Sequence, residues 1–332
     1  MIIIASTIKD IAALCGVSEG TVDRALNNRS GISEKTKSRI LQAARELDYH
    51  PNHLARSLAK GSTYTIGVVC INLSNNFFSL LIEAIEAIAK ENGYFINLIL
   101  THNDPVREME GIRYLAGRKV DGLIIFPVGM GKEYEKELKK LNVPIVTVYN
   151  RISSDFIHVD VDGRQIMRNA VSYIVQKGYS RVIYMDVGIQ NLRRQGINIY
   201  SMEERRNGYL EGIKDEMMKE IVLEDFDKDR IIQLVESEKH GKAAVLCSYD
   251  VLAIKVLNLF RERGIKVPDQ AGIMGFDNID ILKTISPRIQ SVDCGIRNLG
   301  RKAFSILLRQ INKDRNVHDC VIGYSFTEGE TL

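Results

Sequence analysis

Cysteine is scarce in this sequence, and its spacing argues against metal fingers and disulfide scaffolds. The chain has five cysteines, an odd number, and they form no C-x-x-C pair. Each stands in an apolar strand or helix pattern, and the positions are Cys15, Cys70, Cys247, Cys294 and Cys320. This pattern predicts buried thiols in a reducing compartment.

Long apolar runs are also absent. No stretch approaches the roughly 20 apolar residues that span a membrane. The start, Met1 to Ala5, is too short an apolar run for a signal peptide and lacks a basic flank. We therefore expect a soluble cytoplasmic protein with no membrane partner.

Catalytic and cofactor motifs are missing as well. The phosphate-binding pattern G-x-x-x-x-G-K-[ST] is absent, and no G-x-G-x-x-G follows a predicted strand. His158, Asp160 and Asp162 alternate, so they could share one strand face and hold a metal. Asp162 also suits the N-cap of the next helix, and we favour that structural role. We predict no catalytic residue, no metal and no cofactor.

The length and the charge distribution indicate several domains with different partners. A chain of 332 residues suggests two or three domains. The net charge is +3, and residues 1–61 contain nine Lys and Arg against six Asp and Glu. The remainder contains 36 of each sign, so the whole positive excess lies in the first 61 residues. Such an excess is expected where a domain meets phosphates.

The first 50 residues have the pattern of three short amphipathic helices. Thr7, Ser18 and Ser33 are N-cap candidates, and Gly16 offers the backbone freedom of a helix C-cap. Apolar residues at helical spacing would form the inner faces, and they are Ile8, Ile11, Ala12, Cys15, Val17, Val22, Ala25, Leu26, Ile40, Ala44 and Leu47. The first two helices and their tight turn predict a helix-turn-helix, whose second helix enters the DNA major groove.

Residues 7–61 resemble the DNA-binding headpiece and hinge of the lactose/galactose repressor (LacI/GalR) family. An ordinary helical hairpin is the alternative, but it would not carry so many ordered matches. The matching motifs are Thr7-x-x-Asp10-Ile11-Ala12, Gly16-Val17-Ser18, Thr21-Val22-x-Arg24-x-Leu26-Asn27, Ser33-x-x-Thr36, Tyr49-x-Pro51-Asn52 and Ala55-Arg56-x-Leu58-Ala59.

This resemblance implies a set of DNA contacts. Glu19, Gly20 and Arg24 stand where the family reads bases, and Arg24 suits guanine while Glu19 could accept from cytosine. The resemblance implies phosphate contacts for Thr7, Ser18, Asn27 and Ser33, and Thr21 belongs to the same DNA-binding set.

Asp23 departs from the family, which usually has a serine there that meets a phosphate. A carboxylate beside a phosphate is repelled, so Asp23 must pair with a neighbouring arginine or turn toward a base.

Residues 53–62 are predicted to form a hinge. The segment is too short to be a stable isolated helix. The resemblance implies that hinge helices of two subunits pair in the minor groove, with Ala55 and Leu58 at the DNA and Leu58 as the wedge. A plain linker is the alternative. The expected domains are therefore a headpiece at 1–52, this hinge, and a core at 63–332.

The core has an α/β pattern of alternating strands and helices, which implies parallel sheets. Two such series, one from Ile66 to Val148 and one from Arg164 to Gly275, predict two sheets. The core resembles the two-lobed periplasmic sugar-binding fold of the same family, in which the chain crosses between lobes three times. We place the crossings near 163, 291 and 320. Lobe 1 would hold 63–163 and 292–320, and lobe 2 would hold 164–291 and 321–332.

Ligands of open α/β sheets bind beyond the carboxyl ends of the strands. The polar and aromatic residues predicted there are Asn76, Phe77, Phe78, Tyr149, Asn150, Arg151, Tyr249, Asp250 and Asp277. Arg205 joins them by resemblance. Between Pro144 and Arg151 the sequence has one residue more than the resemblance leads us to expect, so Tyr149 and Asn150 cannot be given individual roles. Asp250 could instead cap a helix that begins at Val251. An arginine, a carboxylate and an aromatic wall favour a sugar or polyol effector.

Together these patterns predict a cytoplasmic, nucleoid-associated transcriptional regulator, and we expect a repressor. It would bind a near-palindromic operator in double-stranded DNA as a homodimer, with a tetramer as an alternative, although residues 325–332 have no coiled-coil heptad. The rival interpretations are a solute-binding protein, or an α/β sugar-metabolising enzyme fused to a DNA-binding domain. The first would need a signal peptide, and the second a catalytic constellation.

Overall fold

The structure, a computed structural model, describes residues 6–49, 61–239 and 241–332. The chain divides into two units, Met1–Thr63 and Tyr64–Leu332, which are described separately below. Most of the predicted hinge at 53–62, including Ala55 and Leu58, lies outside the described residues, so its role stays a prediction.

The first unit is a three-helix headpiece with helices α1 (Ile8–Cys15), α2 (Glu19–Leu26) and α3 (Glu34–Glu46). The predicted caps are confirmed. Thr7 and Asp10 form a reciprocal capping box, and Gly16 ends α1 in the left-handed region with φ 58°. The side chains of Ser18 and Ser33 accept from backbone N–H groups three residues on. The predicted apolar faces meet in one small core, with Ile11, Val22 and Ile40 fully buried.

The second unit contains two six-stranded sheets, each of which defines a lobe. In lobe 1 the strands are β1 (Thr65–Cys70), β2 (Phe95–Leu100), β3 (Gly122–Ile125), β4 (Ile145–Val148), β5 (Ile157–Val161) and β11 (Cys320–Ile322), in the order β11-β5-β4-β3-β1-β2. All neighbours in this sheet pair in parallel.

In lobe 2 the strands are β6 (Tyr179–Met185), β7 (Val222–Leu223), β8 (Lys242–Cys247), β9 (Ala271–Phe276), β10 (Gln290–Asp293) and β12 (Ser325–Phe326), in the order β12-β10-β9-β8-β6-β7. The pairs from β7 to β10 are parallel, and only β12 is antiparallel, to β10. The chain changes sheets after β5, after β10 and after β11, which places the last two crossings about two or three residues later than the sequence suggested.

Helices connect the parallel strands. In lobe 1 they are α4 (Asn76–Glu91), α5 (Pro105–Gly117), α6 (Lys132–Lys140) and the late helix α12 (Ile296–Ile311), which packs against α4. In lobe 2 they are α7 (Gly163–Gln176), α8 (Ile189–Arg194), α9 (Tyr200–Asp215), α10 (Lys228–Glu236) and α11 (Asp250–Glu262), with a 3₁₀ turn at Asp280–Thr284. The predicted α/β architecture with two parallel-sheet lobes is confirmed.

Two helix starts bear on the predicted effector residues, and one helix was not predicted. Helix α4 begins at Asn76, because Asn75 caps it by accepting the Phe77 N–H at 3.1 Å. Helix α11 begins at Asp250 rather than Val251, so Asp250 is not its N-cap. Helix α8 lies where the sequence showed no helical pattern.

The His158 segment has structural partners. His158 is buried, with Nδ1 2.9 Å from Thr147 Oγ1 and Nε2 3.3 Å from Asp160 Oδ2. Asp162 caps α7 by accepting the Gln165 N–H at 2.9 Å, as predicted. Within the described ranges, no group of His, Cys, Asp or Glu has an arrangement that could hold a metal ion.

The cysteines are all free thiols, but one of the five is not buried. Cys15, Cys70, Cys247 and Cys294 are buried, whereas Cys320 on the edge strand β11 is only half-buried. A search of the described helices finds none long and apolar enough to cross a membrane.

Candidate functional site

A cavity of about 470 Å³ lies between the two lobes, at the carboxyl ends of strands from both sheets. This is where open α/β folds bind ligands. Six of the nine polar and aromatic residues predicted from the strand-end loops line it, and Arg205 does as well. The lining residues are Ile71, Asn72, Ser74, Asn75, Phe77, Phe78, Asn103, Phe126, Tyr149, Asn150, Val187, Leu192, Ile197, Asn198, Ser201, Met202, Arg205, Tyr249, Val251 and Asp277.

Arg205 brings a buried positive charge from α9 to the cavity. Its Nη1 donates to the Ser248 carbonyl at 2.7 Å, which fixes the guanidinium. The guanidinium carbon lies 4.0 Å from the Phe276 ring centroid and 5.2 Å from that of Tyr149. Cation–π contacts of this kind strengthen when the cation is desolvated. Arg205 is therefore held by its neighbours with part of its donor set still facing the cavity.

Asp277 is the acidic counterpart, and it directly follows β9. Its Oδ1 lies 3.9 Å from Arg205 Nη2, which is an ion-pair distance but too long for a hydrogen bond. Burial raises the pKa of this carboxyl to about 7, although Arg205 and the Cys294 thiol both act to lower it. Asp277 also has a φ of 111°, an unusual backbone for a residue with a side chain.

Asp250, which was expected in the effector site, lies behind this turn and does not line the cavity. It is fully buried, and its Oδ2 accepts the Ile279 N–H at 2.8 Å. Its Oδ1 contacts Ser291 Oγ at 2.6 Å. Burial, then the neighbouring Asp277 charge, raises the pKa of Asp250 well above its ordinary value. Asp250 therefore supports the loop that carries Asp277.

Lobe 1 contributes an aromatic wall. The ring centroids of Phe77 and Tyr149 are 4.8 Å apart in an edge-to-face arrangement, and Tyr149 stacks on Phe126 at 6.0 Å. The Tyr149 hydroxyl donates to Cys294 Sγ at 3.1 Å, so the ring is fixed at its polar end. Tyr149 has a positive φ of 62°.

Two other predicted effector residues do not line the cavity. Asn76 is the first residue of α4, and its amide donates to Ser79 Oγ at 3.0 Å, while Asn75 lines the cavity instead. Arg151 pairs with Asp319 at 2.6 Å, at a partly exposed position. These local contacts hold both side chains outside the lining of the cavity.

The sequence did not identify the segment between β6 and α9, which joins the lobes across the cavity. Asn198 donates its backbone N–H to the Val128 carbonyl at 2.7 Å and its Nδ2 to the Arg151 carbonyl at 3.0 Å, both in lobe 1. In turn, Asn150 Nδ2 donates to the Asn198 carbonyl at 3.0 Å, and Asn150 Oδ1 accepts the Ser201 N–H at 3.0 Å.

Aliphatic side chains surround this polar contact. Ile189, Ile197 and Ile199 are buried against Val128 of lobe 1. Ile71, Leu192 and Met202 pack on the same cluster, and together with Ile197 they line the cavity. An asparagine between two isoleucines, Ile197-Asn198-Ile199, was the available signal for a buried polar contact.

In the headpiece, the predicted base-reading residues lie together on one surface. Glu19, Gly20 and Arg24 of α2 are all exposed. Thr21 lies in the first turn of α2, and the Thr21 hydroxyl is 2.9 Å from Ser18 Oγ. The hydroxyls of Thr7, Ser18 and Ser33 cap the helix starts, where backbone N–H groups suit phosphate.

Asp23 takes the first of the two predicted alternatives and pairs with an arginine. Its Oδ2 lies 3.1 Å from Arg29 Nη1, and its Oδ1 accepts from Asn27 Nδ2 at 2.7 Å.

Comparison with known proteins identifies both units. Residues 7–52 match the family model described as bacterial regulatory proteins, lacI family, and residues 171–332 match that of the periplasmic binding protein-like domain. The chain is 31% identical to the HTH-type transcriptional regulator RegA of Clostridium acetobutylicum, with 93% of each chain covered. It is 28% identical to the HTH-type transcriptional repressor PurR of Vibrio atlanticus, over 94% of this chain and 93% of that one.

A solved structure shows the same fold over nearly the whole chain. The lac repressor dimer bound to operator and the anti-inducer ONPF superposes with a TM-score of 0.84 at 20% identity, covering 98% of this chain and 99% of that one. The relatives are regulators rather than enzymes or transport proteins, which decides between the interpretations raised from the sequence. The chain belongs to the lacI family of bacterial regulatory proteins, as a ligand-controlled, DNA-binding transcriptional regulator.

Proposed function

We propose that this regulator represses transcription as a cytoplasmic, nucleoid-associated homodimer on a near-palindromic operator. An isolated helix-turn-helix reads only one half-site, and two-fold symmetric operators match two-fold symmetric proteins. The lac repressor dimer, which shares the fold, is bound to operator in its solved structure. In this proposal Glu19, Gly20 and Arg24 read bases, and the hinge with Ala55 and Leu58 contacts the minor groove.

The effector that we propose is a small uncharged sugar or polyol, held in the cavity by Arg205 and Asp277. The carrying observation is the 3.9 Å separation between Arg205 Nη2 and Asp277 Oδ1. A hydroxyl group both donates and accepts, so one ligand hydroxyl can accept from Arg205 while donating to Asp277. Arg205 and Asp277 carry no net charge together when both are ionised, so a ligand without net charge suits the pair better than an ion does.

The remaining walls favour a ligand with an apolar face. Phe77, Phe126 and Tyr149 offer rings on the lobe 1 side, and Leu192 and Ile197 offer aliphatic surface. Sugars combine hydroxyl edges with C–H faces, and apolar pockets with a few placed polar groups are typical of such sites. Solved relatives of this fold include the CelR–cellobiose complex, at a TM-score of 0.68 and 22% identity.

Control of DNA binding follows from linkage. The cavity is lined by both lobes, and the contacts of Asn150 and Asn198 join them beside it. A ligand that prefers one lobe arrangement shifts the equilibrium by its differential binding free energy, and DNA affinity changes by the same coupling.

A thermal-shift screen of sugars, polyols and sugar phosphates tests this proposal. A ligand at 100 times its dissociation constant stabilises the protein by about 2.7 kcal/mol. We expect the stabilising compounds to be uncharged sugars or polyols, and their effect to disappear in the Arg205→Ala variant. Stabilisation by phosphorylated or acidic compounds alone, or an unchanged effect in Arg205→Ala, would overturn the ligand class or the site.

A further inference from the structure

Asp23 lies on α2, the helix that enters the major groove, and both of its carboxylate oxygens have partners. Oδ2 is 3.1 Å from Arg29 Nη1, and Oδ1 accepts from Asn27 Nδ2 at 2.7 Å. Asn27 Nδ2 also donates to the Asp23 carbonyl at 2.9 Å. Two separate contacts thus fix the rotamer of this side chain.

Arg29 is brought to Asp23 by the backbone after the helix. Its N–H donates to the Arg24 carbonyl at 2.9 Å, so the chain folds back along the end of α2. The Arg29 side chain is about half exposed, at 55%, and Asp23 is 42% exposed. A free arginine here would be a further cation beside the helix that meets DNA.

The pair contributes little to folding, because exposed ion pairs are screened by water and salt. Its effect on DNA binding is expected to be larger. Each cation that neutralises a phosphate adds sequence-independent affinity and steepens the salt dependence. An arginine held by a carboxylate gives up much of that contribution, whereas base reading by Glu19 and Arg24 is left unchanged.

We propose that Asp23 is a specificity-determining residue, which suppresses sequence-independent DNA affinity by holding Arg29 in an ion pair. The residue adds nothing to base recognition itself. It raises the ratio of specific to nonspecific DNA affinity by lowering the nonspecific affinity. This inference rests on the DNA-binding headpiece and requires neither the effector nor the operator sequence.

A double-mutant cycle in the full-length protein tests this role. Asp23→Asn, Arg29→Ala and the double variant are titrated against a duplex of random sequence by fluorescence anisotropy, from about 50 to 200 mM salt. Asp23→Asn should bind more tightly, and its salt slope should steepen by about 0.9 for each headpiece bound. Its advantage should therefore fall about 3.5-fold across that salt range for each headpiece bound, or about twelvefold for a dimer that binds through both. The double variant should behave like Arg29→Ala.

Glu46→Gln provides the charge-matched control, because Glu46 lies on α3 and its carboxylate accepts from Gln42 Nε2 at 2.9 Å. It should bind the random duplex less tightly than Asp23→Asn. An equal gain in Glu46→Gln would mean that net charge alone matters. An equal gain from Asp23→Asn in the Arg29→Ala background, or no gain at all, would also overturn the proposal. Asp23→Ser, checked by circular dichroism melting, gives a second test that does not depend on the asparagine amide.

Discussion

The side-chain amide of Asn150 in lobe 1 donates to the backbone carbonyl of Asn198 in lobe 2 at 3.0 Å. This contact lies beside the cavity that both residues line. A ligand that fills the cavity and a hydrogen bond that joins its walls therefore act on the same lobe arrangement.

Removal of the Asn198 side chain should weaken both stability and effector binding. Asn198→Ala removes the hydrogen bond from Asn198 Nδ2 to the Arg151 carbonyl and that from the Tyr200 N–H to Asn198 Oδ1, which are 3.0 and 3.1 Å long in the native protein. We expect a loss of about 1–3 kcal/mol in the free energy of unfolding. Urea titration measures it. Asn191→Ala, at an exposed position on α8, should change stability by less than about 0.5 kcal/mol. Equal losses in the free energy of unfolding for the two variants would show that Asn198 does not hold the lobes together.

Loss of either charged residue in the cavity should abolish the response to effector. Arg205→Ala and Asp277→Ala each leave a poorly paired buried charge, and we expect a loss of roughly 2–5 kcal/mol in effector binding. Calorimetry with the compound identified by the screen measures this. DNA binding without effector should persist, because the headpiece is unchanged. Full effector affinity in both variants would place the site elsewhere.

The pH dependence of stability should reveal Asp277. Burial raises the pKa of its carboxyl to about 7, against about 3.9 in an unfolded chain. Between these values the folded state binds more protons, so the stability that this group contributes at low pH is lost as pH rises toward 7.

The Asp277→Asn variant lacks that titration, so its stability relative to the native protein should rise with pH, by at most about 1.4 kcal/mol per pH unit. Asp186, whose pKa burial raises to about 6, is present in both proteins and cancels in the comparison. Denaturant titrations at several pH values from about 4 to 8 measure this difference in stability. Parallel stability curves would contradict the raised pKa.

Arg24 should determine sequence preference at one position of each half-site. Arg24→Ala should lose about 1–3 kcal/mol on the operator and accept any base pair there. Binding selection from a randomised duplex library shows both effects. Arg45→Ala, on the exposed side of α3, serves as the matched control and should leave the selected sequence unchanged. An equal loss on operator and random DNA would assign Arg24 to phosphate contact instead.

Much of the fold could be predicted because its determinants are local. The caps at Thr7, Ser18 and Ser33 follow from short side chains before apolar periodicity. Asp277 was expected in the site because it follows a strand end, and Arg205 was expected there because of the family resemblance.

The remainder depends on tertiary contacts that no local pattern shows. Helix α8 has only six residues and two buried or half-buried apolar positions, so its periodicity is too short to recognise. The partners of Asn198 that join the lobes, Val128 and Arg151, lie in lobe 1 and far away in sequence. Asp250 was considered as an effector contact or a helix cap, but it supports the Asp277 loop through Ile279 and Ser291, contacts that form only when β9 and β10 pair.

The most direct test of the central claim is the operator affinity of three proteins, measured with and without the effector. These are the native protein, Arg205→Ala and Asp277→Ala, titrated by fluorescence anisotropy against the duplex obtained by selection. We expect effector to change the dissociation constant of the native protein for operator by about 5- to 150-fold and to leave that of both variants unchanged. An unchanged constant in the native protein, or the same shift in all three, would show that the cavity does not control DNA binding.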